Sequence, residues 1–140
     1  MKRFFTLLIA ALFISGSSWA YNRAIVAIHS KAMDKDILAT VFLPDNYHKA
    51  EKLPVVYLLH GYSGSNKDWD EMGQAGPLAD KHNVILVLPD GGYDSWYWDS
   101  PINPKHKYET FVSSEVVSYI DSHYKTIADR SGRAITGLSM

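Results

Sequence analysis

Apolar and β-branched residues gather twice near the start of the chain, over Ile25 to His29 and Ile37 to Leu43, with the polar stretch Ser30 to Asp36 between them. That pattern predicts two strands joined by a turn, the second broken by Pro44-Asp45-Asn46. Lys49 to Lys52 reads as a solvated surface loop. The next run, Leu53-Pro54-Val55-Val56-Tyr57-Leu58-Leu59, is apolar without alternation, the pattern of a strand buried on both faces of a parallel sheet. Asp68 to His82 has helical spacing but contains Gly73, Gly76 and Pro77, which predicts a broken helix or two short ones. Val84 to Leu88 is a further short apolar strand, stopped by Pro89-Asp90-Gly91-Gly92. Tyr93 to Lys107 carries Trp96, Tyr97, Trp98, Pro101 and Pro104 with no period and reads as a long aromatic loop. From Tyr108 to Tyr124 apolar positions recur at three- and four-residue steps, predicting a helix. Arg133 to Thr136 is a short strand running into Gly137-Leu138-Ser139-Met140.

Strands alternating with helical segments predict an α/β fold: a mainly parallel sheet with helices on both faces, preceded by an antiparallel hairpin. In such sheets ligands bind at the carboxyl ends of the strands. Three motifs fall at such ends: His60-Gly61-Tyr62, Pro89-Asp90-Gly91-Gly92 and Gly137-Leu138-Ser139.

The first twenty residues follow another rule. Lys2 and Arg3 precede an almost unbroken apolar run from Phe4 to Ile14, and Ser18 and Ala20 supply the small side chains that signal peptidase accepts. Residues 1–20 therefore read as a signal peptide cleaved after Ala20, and the run is shorter than the ~20 residues of a membrane anchor. The mature chain, residues 21–140, is expected to be secreted or periplasmic, with no membrane attachment after cleavage. Its formal charge of −1 offers no basic face for nucleic acid. The six histidines never fall at the i, i+4 spacing of a helical metal site, so no metal is expected. With no cysteine, stability must come from an apolar core.

Gly137-x-Ser139 after a short strand is the opening of a nucleophile elbow, G-x-S-x-G, whose sharp strand-to-helix turn lifts the serine Oγ clear of the sheet. Any strand end takes turn residues, so the pair gains weight only from its place after a buried strand, with His60-Gly61 at a comparable strand end. Acyl transfer also needs backbone N–H donors where negative charge develops on the oxyanion. The architecture puts one after the nucleophile and one in the loop after an earlier strand, here Met140 and Tyr62. His60 reads as a loop-orienting residue, since the base of this fold follows the nucleophile in chain order. Asp90 reads as a turn residue and Trp69 as a packing residue. Trp96, Tyr97 and Trp98 are candidate walls of a substrate pocket.

Taken together, Leu53 to Gly61, Leu88-Pro89-Asp90-Gly91-Gly92 with Ser95-Trp96-Tyr97, Tyr108-Glu109-Thr110-Phe111 with Glu115 and Tyr119-Ile120-Asp121, and Arg133 to Met140 resemble the esterase D-like branch of the α/β-hydrolases. That branch includes S-formylglutathione hydrolases, tributyrin and feruloyl esterases, and mycobacterial mycolyltransferases. The resemblance implies that Ser139 is the nucleophile, with Tyr62 and Met140 at the oxyanion-hole positions. It also implies a small-molecule or carbohydrate ester as substrate and no cofactor. Members of the branch continue for about as many residues again, and that second half carries the triad acid and histidine. The chain is thus expected to be the N-terminal half of the domain. Two alternatives stay open: an inactive truncated product, and an acyltransferase using the same serine.

Overall fold

A computed structural model describes residues 21–140; the signal peptide expected over residues 1–20 lies outside the described residues. Two nine-residue strands, β1 (Asn22–Ser30) and β2 (Lys35–Leu43), form the expected antiparallel hairpin in a register running from Asn22↔Leu43 to Ser30↔Lys35. Three five-residue strands follow: β3 (Val55–Leu59), β4 (Ile85–Pro89) and β5 (Arg133–Gly137). The sheet order is β1-β2-β4-β3-β5, with β2 antiparallel to β4 and with β4, β3 and β5 mutually parallel. The carboxyl ends of β3, β4 and β5 therefore share one edge.

Side chains alternate across a strand, and here both sets find cover. Ala39, Val41, Val55, Tyr57, Ile85 and Val87 face a helical stretch through Phe111, Val112, Val116 and Ile120. Phe42, Leu86 and Leu88 face Ala75 and Ala79 on the other side. Full burial of one such large side chain contributes about 1.5–3 kcal/mol. All five residues of β4 are buried. β3 departs from its expected double burial: Val56 and Leu58 on the second face, and Leu59 at the end of the strand on the first, are only half-buried.

The helical segment after β3 is two short helices, α1 (Asp68–Glu71) and α2 (Ala75–His82). Gly73, at φ 71°, makes the break between them. Gly76 and Pro77 do not interrupt α2. Pro77 lies in its first turn, where a missing N–H costs no helical hydrogen bond. At Gly76 the ring of Tyr21 occupies the space a Cβ would need. The stretch after β4 is helical as expected but not uniform. A turn α3 (Tyr108–Thr110) leads into a π-helical segment, Phe111–Val116, and then α4 (Val117–His123). Such widened turns recur at functional sites, and apolar spacing of three and four residues does not distinguish them from α-helix.

Candidate active site at the carboxyl edge of the sheet

Because β5 lies parallel to β3 with Leu59 opposite Gly137, the two chains leave the sheet side by side. The Leu138 N–H donates to the Leu59 carbonyl at 3.1 Å. The same carbonyl accepts the Trp69 indole N–H at 3.1 Å, a tie that local sequence does not signal. Gly61 then lies against the serine: a Cβ on it would fall 3.4 Å from Ser139 Cβ and 3.3 Å from the Leu138 carbonyl. The structure thus brings Ser139 and the His60-Gly61-Tyr62 loop together.

Ser139 itself has φ 61°. That left-handed conformation is uncommon for a residue with a side chain, and costs of order 1–3 kcal/mol when the surroundings impose it. The Met140 N–H donates to the Leu138 carbonyl at 2.8 Å, closing a three-residue turn about Ser139. This N–H is thereby engaged within the turn. On the opposite loop, the Tyr62 ring is half-exposed and meets the Tyr93 ring edge-on at 5.1 Å, while the Ser63 N–H donates to the Tyr93 carbonyl at 2.7 Å.

His60 is 1% exposed and joins two loops. Its Nδ1 lies 2.7 Å from the Gly61 carbonyl and its Nε2 accepts the Gly91 N–H at 2.8 Å. With Nε2 an acceptor, the ring is neutral and its proton sits on Nδ1. Both nitrogens are occupied, which fits the loop-orienting role and leaves neither free to accept a proton from serine. Asp90 accepts the Gly92 N–H at 2.8 Å, the turn geometry expected of it.

The aromatic loop divides in two. Tyr97 donates its hydroxyl to the His60 carbonyl at 3.0 Å, packs its ring against Gly91, and has its phenol pKa raised by burial. It braces the loops. Trp96, 62% exposed, and Trp98, 49% exposed, stay at the surface. Trp96 and Tyr97 are both left-handed, at φ 53° and 51°, and the Ser95 Oγ steadies this turn by accepting the Tyr97 N–H at 3.0 Å. Among the described residues no group of three or more histidine or carboxylate side chains is placed to hold a metal, and no helix is long and apolar enough to cross a membrane.

Residues 30–140 match the Esterase family. The chain belongs to this family. An esterase of Mycobacterium tuberculosis is 36% identical over 107 residues, covering 71% of this chain and 23% of the relative. An endo-1,4-beta-xylanase/feruloyl esterase of Xylanibacter ruminicola is 30% identical over 128 residues, covering 82% and 18%. A solved ferulic acid esterase superposes with a TM-score of 0.76 at 34% identity, over 89% of this chain and 51% of that one. This member of the Esterase family therefore has the α/β-hydrolase fold from β1 to β5, and it spans about half of that solved chain and less of the two curated relatives.

Proposed function

We propose that the protein is a serine carboxylic-ester hydrolase whose nucleophile is Ser139, and that residues 21–140 are the N-terminal half of its catalytic domain. The observation that carries this reading is the left-handed Ser139 at the tip of β5 with Gly61 against its Cβ. In the proposed reaction Ser139 Oγ attacks the ester carbonyl carbon and its proton passes to a histidine. The tetrahedral oxyanion accepts hydrogen bonds from the Tyr62 and Met140 N–H groups, and the alcohol then leaves with the proton. Water releases the acid from the acyl-enzyme. Engaging an oxyanion requires the Met140 N–H to turn from the Leu138 carbonyl, as it would at the start of a helix.

The histidine and the acid that orients it are assigned to sequence beyond Met140, since both nitrogens of His60 are engaged. Short-chain or carbohydrate-linked acyl esters are the substrate class; relatives named for feruloyl and ferulic acid ester cleavage support it, and Trp96 and Trp98 are the exposed candidates for its walls. Secretion with cleavage after Ala20 belongs to the same proposal, and N-terminal sequencing of exported protein should start at Tyr21.

The deciding experiment is hydrolysis of 4-nitrophenyl acetate by the full-length protein and its Ser139→Ala variant. Loss of a triad nucleophile lowers kcat by roughly 10⁶ in one measured protease, and a fall of several powers of ten is expected. Retention of most of the activity would place the nucleophile elsewhere.

A further inference from the structure

In the loop after β3, the Tyr62 N–H is open while the three that follow it are taken. The Ser63 N–H donates to the Tyr93 carbonyl at 2.7 Å, the Gly64 N–H to the Gly61 carbonyl at 3.1 Å and the Ser65 N–H to the Asp68 carboxylate at 2.9 Å. The Tyr62 N–H meets no acceptor among the described residues. It belongs to the peptide unit that begins at the Gly61 carbonyl, and Gly61 is the residue packed against Ser139.

No peptide bond among the described residues is cis, and in a trans peptide the C=O and N–H point in opposite directions across one planar unit. Whatever fixes the Gly61 carbonyl therefore fixes the direction of the Tyr62 N–H. Two donors do so: the Gly64 N–H and, at the shorter distance of 2.7 Å, the Nδ1–H of His60. The imidazole is buried, and the Gly91 N–H just beyond β4 donates to its Nε2 at 2.8 Å. That bond puts the proton on Nδ1 and holds the ring from the side away from Gly61. The preceding carbonyl, that of His60, accepts the Tyr97 hydroxyl at 3.0 Å. A hydrogen bond to a carbonyl also polarises its own peptide unit, which strengthens the N–H at the other end.

We propose that His60 is a positioning residue for ester cleavage: by holding the Gly61 carbonyl through its Nδ1–H, it aims the Tyr62 N–H at the oxyanion that forms at Ser139. This role presupposes the esterase reading and adds to it the cause of the donor's direction. The two ring nitrogens have separate duties, Nδ1 towards the reacting centre and Nε2 towards the loop after β4. Amide side chains can part them. Asparagine carries an N–H at the position of Nδ1 and reaches nothing at Nε2, whereas glutamine reaches the position of Nε2 with its carbonyl oxygen and has no donor at Nδ1.

The test is turnover of 4-nitrophenyl acetate by the full-length protein carrying His60→Gln, His60→Asn or Tyr62→Pro, each with its melting temperature. Tyr62→Pro removes the N–H itself, and kcat should fall by roughly 10²–10³, the loss that follows deletion of one oxyanion donor. His60→Gln should lower kcat about 10- to 100-fold with KM nearly unchanged. Added to Tyr62→Pro it should cost little more, because the group through which it acts is already gone. His60→Asn leaves the buried Gly91 N–H without an acceptor and should melt below His60→Gln, yet it should recover most of the kcat that His60→Gln loses. A histidine that only ties the loops together gives the reverse order, with turnover following stability. Equal kcat in the two His60 variants, or full additivity of His60→Gln with Tyr62→Pro, would overturn the inference. If His60→Gln does not fold, His60→Asn decides: a kcat as low as that of Tyr62→Pro overturns the proposal and one well above it supports it. Ser139→Ala reads the esterase assignment by itself. Activity retained there sinks both readings, whereas activity lost there, with His60 variants that turn over alike, sinks only this one.

Discussion

β4 and β5 are both five-residue strands parallel to β3, yet their surroundings differ at every position. β4 lies between β2 and β3 with all five residues buried, whereas among the described residues β5 pairs with β3 alone and Ile135 at its centre is 61% exposed. The flank of β5 also holds unpartnered polar atoms. Tyr57 Oη and Arg133 Nε are buried without a hydrogen-bond partner among the described residues, and burial, with the Asp121 carboxylate adding to it, pushes the Tyr57 phenol up to about 12. Tyr57, Val112, Val117 and Ile135 line a cleft of about 240 Å³ on one face of β5, and Leu58, Trp69, Met72 and Thr136 line one of about 350 Å³ on the other. Ser139 thus emerges from the strand with the least support. A strand's burial is decided by its neighbours as much as by its own side chains, and the proposed second half of the domain would supply neighbours for β5.

The exposure of β5 has its largest consequence in residues 21–140 taken alone. An edge strand with unpaired N–H and C=O groups recruits further chains. Exposed apolar area counts at ~25 cal/mol per Å², so a few hundred Å² is several kcal/mol, comparable with a domain's net stability. Sedimentation should find this polypeptide associated and inactive on 4-nitrophenyl acetate. A monomer that melts cooperatively and turns over the ester at enzyme-like rates would show that β5 needs no further cover.

In the full-length protein, substitutions in β4 and β5 should differ in cost according to how each strand is covered. Ile85→Ala in β4 removes side-chain volume from a site with no exposure, and urea unfolding should register a loss of about 2–5 kcal/mol. If residues beyond Met140 cover β5, Ile135→Ala should also cost well above the roughly 0.5 kcal/mol of a surface change. A smaller cost would mean that β5 remains an edge, against the domain assignment. A third, smaller effect tests the link between the loops. His60→Phe leaves the buried Gly91 N–H without its acceptor, at about 1–3 kcal/mol. Tyr97→Phe removes only the donor to the His60 carbonyl, at about 0.5–1.5 kcal/mol. Equal costs for the two would contradict a network centred on the imidazole.

The strands, the hairpin and the alternation of β with α were legible in the sequence because each rests on local periodicity. So was the meeting of strand ends, because parallel strands must end on one edge. The π-helical segment was not, since Phe111, Val112, Val116 and Ile120 keep a spacing that an α-helix would also give. Nor could the sequence show that Gly73 rather than Gly76 breaks the helix, because neither the left-handed φ of Gly73 nor the packing of Tyr21 against Gly76 has a local signature. The candidate site was legible as motifs, but its internal ties were not. Trp69 to Leu59, Tyr97 to His60 and Gly61 to Ser139 are tertiary contacts with no local signature. The aromatic triplet, read as one pocket wall, separates into a brace, Tyr97, and two exposed indoles.

The smallest expected effect concerns how that aromatic loop is held to the helix after it. The Asp99 carboxylate accepts the Thr110 hydroxyl at 2.5 Å and the Thr110 N–H at 3.1 Å, from the first turn of the helical stretch. Burial pulls its pKa upward, but the Thr110 hydrogen bonds and the Lys107 charge outweigh this and hold it below the ordinary carboxylate value. A carboxyl with a depressed pKa in the folded state stabilises fully above its unfolded value, near 4, and loses that contribution as pH falls through the folded value. Asp99→Asn keeps an acceptor oxygen but removes the charge. The variant should therefore melt slightly below the parent at pH 7, and the gap should close as the pH falls below about 4. A gap that stays constant between pH 7 and pH 3 would mean that the charge on Asp99 contributes nothing, and that shape alone fastens the aromatic loop to the helix.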